Sequence, residues 1–117
     1  MASFRASAGI IEARAGVEPS AVLEAARLAV ADGWVVEDAF VDVEPLARGT
    51  GAPRVVVRFV VPTGNDAEED ADAWSAARAL ATAVGRVAEW SDLKVLRRSG
   101  GRWTPVERDQ GSASPRE

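Results

Sequence analysis

The chain has 117 residues, 47% of them apolar and 27% charged, with a net charge of −4 and no cysteine, histidine or tyrosine. That length is one domain's worth, large enough to bury a core without disulfide or metal staples. The missing residue types exclude disulfides, thiolate metal sites, cysteine nucleophiles and a Ser-His-Asp triad. Any catalysis is left to carboxylates, Lys94, arginines, hydroxyls or a bound cofactor, and no motif calls for a cofactor or a metal. The acidic balance disfavours general binding to nucleic acid or a membrane surface. The opening "MASFRASAGIIEARAG" is broken by Arg5, Glu12 and Arg14, so it reads as no signal peptide, and no apolar run reaches membrane-spanning length. The expectation is a cytoplasmic protein. Arginine greatly outnumbers lysine and alanine is abundant, which points to a GC-rich bacterial genome.

The first segment, residues 4 to 15, carries a weak strand signal centred on Ile10 and Ile11, diluted by Ala6, Ser7, Ala8 and Gly9. "VEPSAVLEAARLAVADG" then reads as a helix. Glu18 or Ser20 can cap it, Pro19 suits its first position, and Val22, Ala26 and Ala29 form a stripe beside Leu23 and Val30. Gly33 supplies a left-handed stop. The next strand, 34 to 46, alternates Val35, Ala39, Val41 and Val43 with Asp38, Phe40, Asp42 and Glu44. Residues 46 to 53 read as a glycine-rich turn region. "RVVVRFVV" (54 to 61) is the strongest strand, apolar on both faces as a central strand is.

"NDAEEDADAW" places Asp66, Glu68, Glu69, Asp70 and Asp72 at the start of a second helix running towards Trp90. Its stripe is Ala73, Ala77, Leu80, Val84 and Val87. The acids lack the sixth-position glycine and the final glutamate of a calcium loop. They suit the free N–H groups of a first helical turn, with Asn65 or Asp66 as the cap. "SDLKVLRRSGGRWTPV" predicts a strand, a Gly100-Gly101 hairpin turn and a return strand. The folded domain is expected over 1–106, with 107–117 a disordered polar tail.

The order β-α-β-β-α-β with an extra C-terminal hairpin strand is that of a ferredoxin-like α+β sandwich. It leaves one sheet face without helices. Pairing Glu44 with Arg54 would set Asp38, Phe40, Asp42 and Glu44 beside Arg54, Val56, Arg58 and Val60 on that face. Phe40, Val56 and Val60, with Trp103, are the expected interface residues. Arg54, Arg58, Arg97, Arg98 and Arg102 are the expected contacts for an anionic ligand, the last three flanking the glycine turn. A single aromatic beside three acids does not suit RNA stacked on a sheet. The reading that follows is a small non-catalytic binding or assembly domain, a homo-oligomer and most simply a dimer, joined through its open sheet face or an edge. The alternative is a binder or sensor of a small anionic ligand. A third reading is an enzyme in which Asp38, Asp42 and Arg58 do acid–base work.

Overall fold

Alternation along the strands divides them into an apolar and a polar face, and the computed structural model, which describes residues 1–44, 52–62 and 64–108, turns the apolar face to two helices. In chain order the elements are β1 (Ala2–Ala13), α1 (Pro19–Ala31), β2 (Val35–Glu44), β3 (Ala52–Val61), α2 (Asp66–Gly85), β4 (Ala88–Ser99) and β5 (Arg102–Pro105). The strands form one antiparallel sheet in the order β2-β3-β1-β4-β5, so the architecture is α+β. Among the described residues no helix is long and apolar enough to cross a membrane. The expected turn region at 46 to 53 falls largely outside the described residues, and so does most of the expected tail.

The middle strand is β1, the one with the weakest sequence signal. Phe4, Ala6 and Ala8 face the helices and pair in register with Phe59, Val57 and Val55 of β3. The alanines that blur the strand signal are what let α2, itself lined by Ala73, Ala76 and Ala77, pack against β1. Phe4 stacks on Phe59 with ring centroids 6.0 Å apart, and Trp34 meets Phe59 edge-on at 6.4 Å.

Helix α1 starts with Pro19 in its first turn and buries Val22, Ala26 and Val30, while Glu18 makes no side-chain cap. Gly33 does not take the left-handed conformation expected of it. The helix instead closes with Gly33 and Trp34 both donating to the Val30 carbonyl. Helix α2 has a capping box: Asn65 Oδ1 accepts from the Glu68 amide at 2.8 Å, and Glu68 Oε1 accepts from the Asn65 amide at 3.0 Å. Ala73, Ala77, Leu80 and Val84 are fully buried as the stripe predicts. The helix ends at Gly85 rather than near Trp90, however, and Val87 and Trp90 pack against the core from outside it. Arg14 explains the early stop, because its side chain donates to the carbonyls of Gly85 (2.9 Å) and Arg86 (3.1 Å). A Cβ on Gly85 would lie 3.3 Å from Trp90 Nε1, so the glycine makes room for that ring.

Two further departures concern β2. Asp42, not Glu44, is opposite Arg54, and Glu44 is opposite Ala52. A bulge between Val36 and Asp38 also reverses the facing of the first residues. Val36 and Ala39 reach the core, Val35 pairs with Val60, and Val35, Val41 and Val43 are exposed. Asp38 and Asp42 each accept a hydrogen bond at 2.9 Å from the amide of the following residue, Ala39 and Val43. At the other end of the sheet, Gly100 and Gly101 adopt φ of 57° and 83°, as a two-residue hairpin turn requires.

Candidate functional site

The helix-free face reads across the strands in rows. One row runs from Arg58 on β3 to Arg5 on β1 and Leu96 on β4; the next runs from Phe40 through Val56 and Ser7 to Lys94. Trp103 on β5 pairs with Arg98 and lies over the sheet, its ring 4.3 Å from the Arg5 guanidinium carbon and 5.3 Å from those of Arg58 and Arg98. Phe40 meets Arg5 from the other side at 5.2 Å. Arg5 is therefore flanked by two aromatic rings. Each such cation–π contact is worth about 0.5–2 kcal/mol, depending on how dry it is.

This layer covers the strand surface beneath it. Val56, expected as an exposed contact residue, is 6% exposed, while Phe40, Val60 and Trp103 are half-buried. The surface offered to a partner is thus rings and guanidinium groups, not a bare apolar sheet.

Five arginines were the sequence candidates for an anion site, and the structure brings only some of them together. Arg58 and Arg98 converge on Trp103. Arg58 is already paired, its Nε 3.0 Å from Glu37 Oε1, which also accepts from Ser3 Oγ. Arg102 is exposed at the hairpin. Arg54 is buried and engaged: Nη2 donates to Ser7 O, Ser7 Oγ and the Asp92 carbonyl (2.6 Å), and Nη1 to Asp92 Oδ2 (3.1 Å). Asp92 has φ of 60°, a left-handed strand residue at a bulge, and its carbonyl meets the guanidinium. Gly9 lies beside this cluster, where a Cβ would stand 3.3 Å from Arg54 Nη1 and from the Ser91 carbonyl.

Arg97 is on the other side of the sheet. It stacks over Phe4 at 4.8 Å and bonds Glu69 Oε1 at 2.9 Å and Asp70 Oδ1 at 3.0 Å. The acid run of α2 is thereby tied to β4. The hydrogen bond from Arg97 holds the Glu69 carboxyl below its ordinary pKa, against the opposing effect of burial. Among the described residues no group of three or more potential ligands could hold a metal ion.

The acid–base arrangement of Asp38, Asp42 and Arg58 is not formed. Both aspartates are exposed and hydrogen-bonded to their own strand, and Arg58 turns to Glu37. The residues that sequence reasoning missed are Arg5, Ser7 and Leu96. A signal for the first two was present, because Ser3, Arg5 and Ser7 alternate with Phe4, Ala6 and Ala8.

No protein-family model, curated protein or solved structure matches the chain. The case for function therefore rests on this face. Beside Arg5 it carries a hollow of about 320 Å³, whose polar lining is Arg5, Ser7, Arg54, Lys94 and Asp42.

Proposed function

We propose that the chain is a small non-catalytic binding domain of ferredoxin-like topology, and that it works by pairing with a second copy through the helix-free sheet face. The strand order, with β1 and β3 inside and β2 and β4 flanking them, supports the topology; β5 is then an added edge strand. A bacterial cytoplasmic setting fits the composition.

The observation that carries the pairing is how charge is arranged across the face. The β2 column presents Glu37, Asp38 and Asp42, whereas β1 and β4 present Arg5, Lys94 and Arg98. Two sheets packed face to face, about 10 Å apart, can be related by a two-fold axis lying between them. An axis across the strands would set acid on acid. An axis along the strands sets the acidic column of each copy over the basic columns of the other, and a two-fold interface makes that contact twice. Trp103 and Phe40 supply the aromatic anchors that association surfaces favour. An edge is less suited. On β2 a bulge and two aspartates already bonded to neighbouring amides obstruct an added strand, and β5 is short and ends at Pro105.

The test is a mixing experiment by sedimentation at micromolar concentration. The wild-type chain is expected at twice the single-chain mass. The D38K/D42K and K94E/R98E variants, each with like charges facing, are expected to be monomers alone and to form a mixed dimer when combined. A wild-type monomer whose mass does not rise with concentration refutes the reading, and so do variants that dimerise as well alone as together.

A further inference from the structure

From the hollow beside Arg5 we infer that this face holds a binding site for a small monocarboxylate with a short aliphatic body, and that Arg5 is its principal anchor. The site belongs to the face described above as the working surface, but it does not require a second copy to cover that face.

Three observations converge. Among the described residues Arg5 has no acidic partner: it stands directly across the strands from Arg58, a like charge, and Arg58 is the one that Glu37 neutralises. Its Nε is buried without a hydrogen-bond partner. A guanidinium held by ring faces has its in-plane N–H groups unspent, and their fork matches the two oxygens of a carboxylate. Phe40 and Trp103 fix the plane of that fork, which lowers the ordering cost of binding.

The second donor is Ser7. Its hydroxyl oxygen accepts from Arg54 Nε and Nη2, at 3.3 and 3.0 Å, so its own proton is the donor left for a ligand. The buried Arg54 cluster thus orients the serine. Lys94 adds positive charge at the far side of the hollow, shared with Asp92 at 3.5 Å.

The rest of the lining selects among anions. Val56 and Leu96 give apolar wall, which an inorganic ion cannot use. Asp42 at the same rim opposes a second negative charge, so a monoanion is favoured over a phosphate dianion. The volume of about 320 Å³ is at the small end of the range for small-molecule sites.

The experiment is a calorimetric titration of the full chain with acetate, butyrate, hexanoate and inorganic phosphate at constant ionic strength. Affinity is expected to rise from acetate to hexanoate by roughly fourfold for each methylene that enters the hollow. Phosphate is expected to bind more weakly than butyrate. R5Q should weaken butyrate binding by at least about tenfold, the loss of one charge-assisted fork. K94Q, a change at the rim, should weaken it by less. R5K keeps the charge without the fork and should recover only part of the loss. Far-UV circular dichroism shows whether each variant is folded; if R5Q is not, R5K and K94Q carry the test. Affinity independent of chain length, phosphate equal to butyrate, no saturation by hexanoate, or unchanged binding in folded R5Q would each overturn the inference. Sedimentation of the same samples separates the two ideas. Binding by a monomer leaves the carboxylate site standing without the second copy, and a dimer that binds no carboxylate does the reverse.

Discussion

Replacing Arg54 by methionine isolates what a buried guanidinium does under a helix-free sheet face. Methionine keeps most of the aliphatic stem, so packing changes little. The loss is in hydrogen bonds. Ser7, only 6% exposed, loses the donors to its hydroxyl and carbonyl oxygens, and the Asp92 carbonyl loses a bond of 2.6 Å. A buried acceptor left without its donor costs about 1–3 kcal/mol. The Asp92 carboxylate is 56% exposed and rehydrates, so its ion pair adds well under about 1 kcal/mol. Relief of the guanidinium's own desolvation offsets part of the loss. The expected net destabilisation for R54M is about 2 kcal/mol, read from urea unfolding as a lower midpoint at unchanged slope. The second arm is the R54M/S7A double variant, which removes the hydroxyl with its donor. Removing the hydroxyl together with its donor costs less than orphaning it, so the double variant should be more stable than R54M, yet below wild type because the Ser7 and Asp92 carbonyls still lack their donor. An R54M loss below about 0.5 kcal/mol, or a double variant less stable than R54M, refutes the assignment of Arg54 to holding Ser7 and the Asp92 bulge.

Further expectations concern the helix start, the hairpin and the acid limb of stability. Asn65→Ala removes the cap of α2 and should cost about 1 kcal/mol in thermal or urea unfolding, whereas Asp72→Ala, outside the capping box, should cost little. Gly100→Val forces a branched side chain to φ of 57° and should cost at least about 1–2 kcal/mol; it should also change the fluorescence of Trp103, which the turn delivers to Arg5. The Glu69 carboxyl titrates below the ordinary glutamate value of 4.5 because Arg97 donates to it. A depressed folded-state pKa stabilises the fold above the unfolded value and is lost as pH falls through the folded one. The urea midpoint should therefore drop as pH is lowered from about 5 to about 3. In R97Q that part of the pH dependence should shrink; an identical acid limb in R97Q and wild type would refute the role given to Arg97.

The elements that owe their form to local chemistry were readable from the residues. Pro19, the cap at Asn65 and Gly100-Gly101 each state a backbone geometry that neighbours alone enforce. Apart from the left-handed stop expected at Gly33, a local reading that the backbone does not take, the failures arise where distant groups decide. The stop of α2 depends on Arg14, which lies 71 positions from Gly85 and reaches its carbonyl. The inverted start of β2 depends on a single extra residue opposite Arg58, and alternation cannot register a bulge. The arginines near the hairpin show the same limit. Arg97 and Arg98 are adjacent in sequence, so they point to opposite faces of β4, one to the α2 acids and one to Trp103. Grouping them by proximity along the chain joined side chains that the pleat separates. Arg5 was the converse, a polar residue in a faint strand that becomes the middle of the sheet.

The two borders of the sheet also bear on how the protein behaves when crowded. Strand addition is the common route by which sheet proteins polymerise into fibrils, and it needs a straight run of unspent amides. Here one border is kinked at Glu37 with amides occupied by Asp38 and Asp42, and the other closes on a proline after four residues. At high concentration the chain should therefore give discrete particles rather than ribbons, even with Val35, Val41 and Val43 open to solvent along that first border.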